Sequence, residues 1–237
     1  MHGWLYFMTQ TRTERIELTD GRSLRLTVAE PDNAVRGGLV VLHEARGVTD
    51  VMRGLVSSLA DEGWLAVAPH LYRSEEADEF DGPAVTDQLN RLDGESVLAD
   101  TDAAAMWLAQ RGVTADRIGV IGFDLGGAVA LVVASSRTLG AAVSVSGGGI
   151  IEPIAEGLPA LVEVVGELTC PWLGIYGDQD ENIPVEEVEK LRDAAAHAEI
   201  ATDVVRFAEA NNRFDTDPKA SFEAWQRTLN WFDMHLR

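Results

Sequence analysis

The sequence predicts an α/β fold in which a mostly parallel sheet of about eight strands carries helices on both faces. Short apolar runs of strand length alternate with longer segments of helical periodicity, and this alternation continues along the whole chain. It is typical of a parallel sheet that is covered on both faces. The predicted strands are residues 14–18, 24–29, 38–43, 64–68, 117–122, 141–146, 172–177 and 202–207.

Five segments between the strands carry apolar residues at helical spacing, as in Phe222, Trp225 and Leu229. We interpret each stripe as the face that packs on the sheet. The predicted helices are residues 50–62, 95–111, 126–136, 185–197 and 218–236. Two long segments rich in turn residues, 73–94 and 147–170, each follow a predicted strand; we call them the two excursions. Ligands of open α/β sheets bind at the carboxyl ends of the strands, so we expect these excursions to cover a pocket there.

Length, charge and cysteine content restrict the class of protein. The 237 residues, 46% of them apolar, suit one α/β domain, which we assign to residues 9–237, with residues 1–8 as an upstream start or tag-like remnant. A net charge of −20 repels nucleic acid and anionic membranes, so the expected partner is a small molecule, bound by a monomer or homodimer. The single cysteine, Cys170, and the lack of any apolar stretch of about 18 residues predict a cytoplasmic protein.

The strongest local signal is a strand-to-helix junction in the segment Ile118-Gly-Val-Ile-Gly-Phe-Asp-Leu-Gly-Gly127. An apolar strand runs into Gly-x-Asp-x-Gly and then into a helix start made of small residues. This pattern is typical of the nucleophile elbow of α/β hydrolases, where flanking glycines permit a cramped turn that lifts the central side chain above the sheet. The central residue of this elbow is Asp124.

A second acidic turn follows the predicted strand 172–177 and reads Gly177-Asp-Gln-Asp-Glu-Asn-Ile-Pro184. At this point an α/β hydrolase carries the acid that orients its histidine, and Asp180 is the better candidate for that role. The alternative is that Asp178 or Asp180 caps the following helix and has no catalytic role.

With these motifs in this order, the chain resembles the dienelactone hydrolase family over roughly residues 12–236. The segment Val40-Val-Leu-His-Glu-Ala-Arg-Gly47 is similar to the oxyanion segment of that family. The resemblance implies an α/β-hydrolase fold in which Glu44 contacts the residue at the elbow and the amide of Ala45 faces the substrate oxygen.

The segment Ala68-Pro-His-Leu-Tyr-Arg73 resembles the strand end at which the family binds a substrate carboxylate, which implies that role for Arg73. His70 stands where the family usually has aspartate, so we consider it a candidate for substrate contact. His43, in the oxyanion segment, is expected to order that loop.

Two positions depart from the family pattern. The family has cysteine or serine at the elbow, where this chain has Asp124, and a histidine after the last strand, where this chain has Asn212. Asparagine accepts no proton near neutral pH, and loss of a general base costs about 10²–10⁴-fold in rate. We therefore expect hydrolysis by the usual route to be slow.

The leading hypothesis is an enzyme without cofactor or metal that uses Asp124 as a general acid and base on a small oxygenated molecule, such as a lactone, ester or polyketide. The amides of Ala45 and Leu125 would stabilise an enolate oxygen, and Asn212 would donate hydrogen bonds to the substrate or to Asp124. No metal is expected, since the histidines and acids show no ligand spacing such as His-Glu-x-x-His.

Two alternatives stay open on the sequence alone. The chain could be a catalytically inactive relative that binds a small molecule or a partner protein. It could also be a weak hydrolase in which Asp124 attacks the substrate directly and forms a covalent ester.

Overall fold

A computed structural model describes residues 9–72 and 77–236, which form one eight-stranded sheet flanked by helices. The expected remnant at residues 1–8 lies outside the described residues. The strands are β1 (Arg12–Glu17), β2 (Ser23–Ala29), β3 (Gly37–Leu42), β4 (Trp64–Pro69), β5 (Ile118–Phe123), β6 (Ala141–Val145), β7 (Trp172–Gly177) and β8 (Thr202–Phe207). All eight lie where the sequence predicts strands, and β1 shows the largest shift at its start, two residues.

The helices of the described residues are α1 (Asp50–Asp61), α2 (Pro83–Asn90), α3 (Gly94–Ala109), α4 (Leu125–Ser136), α5 (Leu161–Val164), α6 (Val185–Ala195) and α7 (Pro218–His235). The sequence predicts five of these. It does not predict α2 or the four-residue α5, which lie inside the two excursions. Their short length and the turn residues around them hide any helical period, although Pro83 at the start of α2 is a common first helical residue.

The strands are ordered β1-β2-β4-β3-β5-β6-β7-β8. The pairs β1/β2 and β2/β4 are antiparallel and every other pair is parallel, which confirms the mostly parallel sheet. The carboxyl ends of β3 to β8 therefore point to one edge. Loops that follow these six strands can meet there and build a site.

Each face of the sheet has its own apolar core. Along β3, Leu39 and Val41 pack into the core with α1 and α7, whereas Val40 and Leu42 pack into the core with α3 and α4. Side chains of a strand alternate between faces, so a continuously apolar strand fills both cores at once. In the described ranges, no helix has the length and apolarity that crossing a bilayer requires.

The turn between β5 and α4 is packed too closely for any side chain at Gly122. A Cβ there would lie 1.9 Å from the carbonyl oxygen of Gly126. This contact explains the glycine that precedes Asp124 by two residues, and it keeps the turn tight enough to raise Asp124 above the sheet edge.

We predict opposite effects for two Gly→Ala substitutions. Gly122→Ala should lower the free energy of unfolding by about 2–3 kcal/mol, because the new methyl group collides with backbone. Gly54→Ala lies within α1 with open space around it, and should raise that free energy by about 0.5–1 kcal/mol through helix propensity. Urea denaturation of both variants measures this, and equal effects would contradict the packing argument.

Candidate functional site

The carboxyl edge of the sheet brings the candidate residues to the ends of neighbouring strands. Glu44 and Ala45 follow β3, Asp124 follows β5, Asp180 follows β7 and Asn212 follows β8. Charge interactions with both Glu44 and Asp180 act on the Asp124 carboxyl. The structure therefore groups three carboxyls around the elbow.

Asp124 occupies a strained backbone conformation at the tip of the elbow. Its φ is 51°, in the left-handed region, and its ψ is −112°. Its N–H donates to the carbonyl oxygen of Val145 at 2.9 Å, and its carbonyl oxygen accepts from the N–H of Ala128 at 3.1 Å. Neighbouring backbone therefore stabilises a conformation that costs an ordinary residue about 1–3 kcal/mol.

The Asp124 side chain lies against the two predicted oxyanion donors. The N–H of Ala45 donates to Oδ2 of Asp124 over 3.4 Å, a long hydrogen bond, and the N–H of Leu125 also donates to the carboxylate. The carboxylate thus uses the amides that the family resemblance assigns to a substrate oxygen. A substrate oxygen that approaches Ala45 would compete with Asp124 for the same donor.

Burial raises the pKa of Asp124 above the usual value for aspartate, and the nearby charges of Glu44 and Asp180 add to the rise. The amides of Ala45 and Leu125 act in the opposite direction, since they stabilise the anion. The raised pKa brings the carboxyl closer to the pH at which it can both accept and donate a proton.

The oxyanion segment is ordered by two aromatic side chains. His43 is fully buried, with Nδ1 2.8 Å from the carbonyl oxygen of Glu44 and Nε2 accepting from the N–H of Leu71 at 3.1 Å. Burial lowers the pKa of His43 to about 4, so the ring is neutral and Nδ1 carries the proton. Tyr72 donates its hydroxyl proton to the carbonyl oxygen of Ala45 at 2.8 Å.

Sequence reasoning did not identify Tyr72 as a site residue. Burial raises its pKa, and the charges of Asp124 and Glu44 raise it further, so the phenol lies within their field. Tyr72 also lines a cleft of about 420 Å³ together with Phe80 and Arg91. Its place three residues after the end of β4, inside the segment already noted for Arg73, was the available signal.

Asp180 lies in the turn after β7 and is half-buried. Its Oδ1 accepts from the N–H of Asn182 at 2.8 Å, and the N–H of Ile183 also donates to this carboxylate. Burial raises the pKa of Asp180, while these two amides lower it. Helix α6 begins at Val185, and its N-cap residue, Pro184, makes no side-chain cap hydrogen bond. Asp180 therefore stabilises its own turn and does not cap α6.

Asn212 follows β8 and borders an open polar cleft of about 580 Å³ with Gln179 and Asn182. Its carbonyl oxygen accepts from the hydroxyl of Ser146 at 2.9 Å. Within residues 9–72 and 77–236, no hydrogen bond joins the Asn212 amide to Asp124. The neighbouring Arg213 instead approaches Glu44, with Nε 3.8 Å from Oε2.

The structure places His70 in a buried polar cluster. Its Nε2 is 2.9 Å from the hydroxyl of Thr27, and its Nδ1 is 3.4 Å from Oδ1 of Asp78. Burial and the charge of Arg25 lower the pKa of His70 to about 4. Within the described residues, Nδ1 makes no hydrogen bond, and substrate contact by His70 stays a prediction. Arg73 lies outside the described residues.

No metal-binding cluster of three or more His, Cys, Asp or Glu residues occurs in the part of the chain that the structure describes. Cys170 is buried, and burial raises the pKa of its thiol to about 12, so it is a core residue and not a reactive thiol.

Comparison with known proteins agrees with this architecture. The model of the "Dienelactone hydrolase family" matches residues 24–236. A Yersinia pestis protein named "Putative carboxymethylenebutenolidase" is 31% identical over 229 residues, which cover 92% of this chain and 86% of that protein. A Bradyrhizobium protein named "Probable 2-oxo-3-(5-oxofuran-2-ylidene)propanoate lactonase" is 28% identical over 237 residues, which cover 92% of each chain.

A solved structure gives the same result. The crystal structure titled "Putative Dienelactone Hydrolase" from Klebsiella pneumoniae superposes with a TM-score of 0.84 at 30% identity, covering 94% of this chain and 98% of that chain. The range matched by the family model, residues 24–236, includes the elbow, the oxyanion segment and the turn after β7. The chain belongs to the dienelactone hydrolase family.

Proposed function

We propose that this protein is an enzyme that transfers protons within a small oxygenated substrate, with Asp124 as the general acid and base. One observation carries the proposal: the Asp124 carboxyl is buried between two amide donors, and its pKa is raised. A group that exchanges a proton with substrate works best when its pKa lies near the working pH.

The relatives indicate the substrate class. Their names refer to a butenolide and to a furanylidene lactone. We propose small unsaturated lactones, with esters and polyketide-like molecules as the wider class. Arg73 is the proposed partner of a substrate carboxylate, and Asn212 is the proposed hydrogen-bond donor to another substrate oxygen.

In the proposed reaction, anionic Asp124 removes a proton from the carbon next to the lactone carbonyl. The C–H bond breaks and its electron pair moves toward the carbonyl oxygen. This oxygen then accepts the hydrogen bond from the Ala45 amide in place of Asp124. Neutral Asp124 then gives the proton to the far end of the conjugated enolate. The double bond moves, no water is consumed, and Asp124 returns to its anionic state.

Three observations favour this chemistry over hydrolysis by a triad. Asn212 cannot activate water as a base. The Asp180 carboxylate already accepts backbone amides in its own turn. An ester formed on Asp124 would have no base to cleave it, so such an intermediate would accumulate.

The raised pKa of Asp124 predicts a stability penalty at neutral pH. Between the unfolded and folded pKa values, the folded protein holds a proton that the unfolded chain has released, so stability falls as pH rises through this window. Asp124→Asn should therefore be more stable than wild type at pH 7, by about 1.4 kcal/mol per unit of raised pKa. The difference should shrink as the pH approaches that of an ordinary aspartate, about 3.9.

Urea denaturation from pH 4 to pH 8 measures this effect. The matched control is Asp102→Asn, because Asp102 is half-exposed and forms an ion pair with Arg137, at the opposite end of α4 from the elbow. A variant at Asp124 that is less stable than wild type at every pH would contradict the raised pKa.

The direct test of the function is proton exchange with a β,γ-unsaturated butenolide in D2O. Wild type should convert it to the conjugated butenolide, with deuterium at the far end only to the extent that the proton on Asp124 exchanges with solvent before it is returned. Asp124→Asn should lower the rate of isomerisation by about 100-fold or more. NMR follows the isomer and the deuterium, and Asp102→Asn should match wild type. Conversion to the open-chain acid, unaffected by Asp124→Asn, would refute the proposal.

Two other outcomes identify the alternatives. A stable adduct on Asp124, seen by intact-mass measurement after incubation with the butenolide or an alkyl halide, would show that the carboxylate is a nucleophile. Tight binding without exchange, isomerisation or ring opening would show a binding protein.

Restoring the family residues should restore ester hydrolysis. The double variant Asp124→Ser with Asn212→His should cleave p-nitrophenyl acetate about 10²–10⁴-fold faster than wild type, because the hydroxyl gains a base. Each single variant is the control and should stay near the wild-type rate. An inactive, folded double variant would show that more than these two positions separates this site from a hydrolytic one.

A further inference from the structure

We infer that Asp78 is a positioning residue that fixes the oxyanion segment, and with it the Ala45 amide, against Asp124. This inference rests on the proposed function, because the position of that amide matters most if Asp124 is the working group. It concerns a residue in the first excursion, outside every motif that the sequence analysis identified.

The loop after β3 contacts the loop that contains Asp78. The N–H of Val48 donates to the carbonyl oxygen of Asp78 at 2.8 Å, and the N–H of Phe80 donates to the carbonyl oxygen of Arg46 at 2.9 Å. These bonds form an isolated antiparallel bridge between Gly47 and Glu79. Residues 46–48, at the end of the oxyanion segment, are thus paired with residues 78–80.

Gly47 makes this pairing possible. Its φ is 88°, and a Cβ would lie 2.4 Å from the carbonyl oxygen of Asp78. A side chain at position 47 would prevent the two backbones from approaching this closely. A displacement of residues 78–80 would therefore also displace residues 46–48.

Residues 78–80 belong to no strand or helix, and the side chain of Asp78 holds them in place. Oδ1 of Asp78 accepts from Nη1 of Arg25 in β2 at 2.5 Å, and Oδ2 accepts from Nη2 of Arg53 in α1. Nδ1 of His70, directly after β4, lies 3.4 Å from Oδ1. One half-buried carboxylate therefore ties the loop to β2 and to α1 by hydrogen-bonded ion pairs, with the neutral His70 ring beside it.

The cluster is closed by further hydrogen bonds. Nη1 of Arg53 donates to the hydroxyl of Thr27 at 3.1 Å, and that hydroxyl is 2.9 Å from Nε2 of His70. Burial alone would raise the pKa of Asp78, but the nearby His70, Arg25 and Arg53 lower it below the usual value for aspartate. His70 is neutral above its pKa of about 4, so at neutral pH the two arginines supply the positive charge. The anchor therefore consists of a carboxylate between two arginines throughout the neutral range.

Removing the charge of Asp78 weakens both arginine contacts and keeps the shape of the side chain. If Asp78 positions the Ala45 amide, Asp78→Asn loosens the hydrogen bond from that amide to Asp124. That bond favours the anion, so the pKa of Asp124 should rise further, by about 0.5–1 unit. A residue that only stabilised the fold would leave this titration unchanged.

The test is the titration of Asp124 in the full chain, followed by NMR with carboxyl-labelled aspartate and assigned through the missing signal of Asp124→Asn. Asp78→Asn should shift it upward, and Asp78→Glu should recover part of the wild-type value. The control is Asp102→Asn, which removes a comparable bidentate pair with Arg137. Should Asp78→Asn fail to fold, Arg53→Lys weakens the same anchor and should shift the titration in the same direction.

An unchanged Asp124 titration in a folded Asp78→Asn or Arg53→Lys variant would overturn the inference. The readout needs no turnover, so it separates the two proposals. If the butenolide test fails while the titration shifts, Asp78 still positions the amide, and only the proposed reaction is wrong.

Discussion

The site depends on one constraint, the strained turn that holds Asp124 above the end of β5. A left-handed φ and the close approach of Gly122 to Gly126 leave the side chain little choice of direction. In a hydrolase this geometry aims a hydroxyl or thiol at a carbonyl carbon. The Asp124 side chain extends one atom further than that of serine or cysteine, so its carboxylate reaches the amides of Ala45 and Leu125. These are the amides that the family resemblance assigns to a substrate oxygen.

Much of the fold followed from local pattern. The eight strands are apolar enough to fill both cores, and the elbow glycines mark a contact of backbone with backbone that no other residue permits. These features are local in sequence, so they can be recognised without coordinates. The helices α2 and α5 are short and lack an apolar stripe of useful length, and their existence depends on contacts with the rest of the molecule.

The supporting residues of the site were harder to predict, because their roles come from contacts between distant parts of the chain. His70 lies close in sequence to Tyr72, yet it pairs with Thr27 and Asp78, whereas Tyr72 contacts Ala45. In the sequence, Asp78 is one of several acidic residues in the first excursion, and nothing sets it apart from them. Only the fold shows that it meets Arg25 from β2 and Arg53 from α1, at separations of 53 and 25 residues.

The two departures from the family pattern that the sequence predicts, Asp124 at the elbow and Asn212 after β8, are physically consistent with each other. A histidine at position 212 would be drawn to a nearby carboxylate as its protonated form, and that positive charge would lower the pKa of Asp124. Asn212 carries no charge, and Arg213 next to it is directed to Glu44. The carboxyl at the elbow therefore meets burial and two like charges with only amide donors to offset them. Under the proposed chemistry, an uncharged residue at position 212 suits Asp124 as a general base, because an imidazolium there would lower the pKa that burial raises.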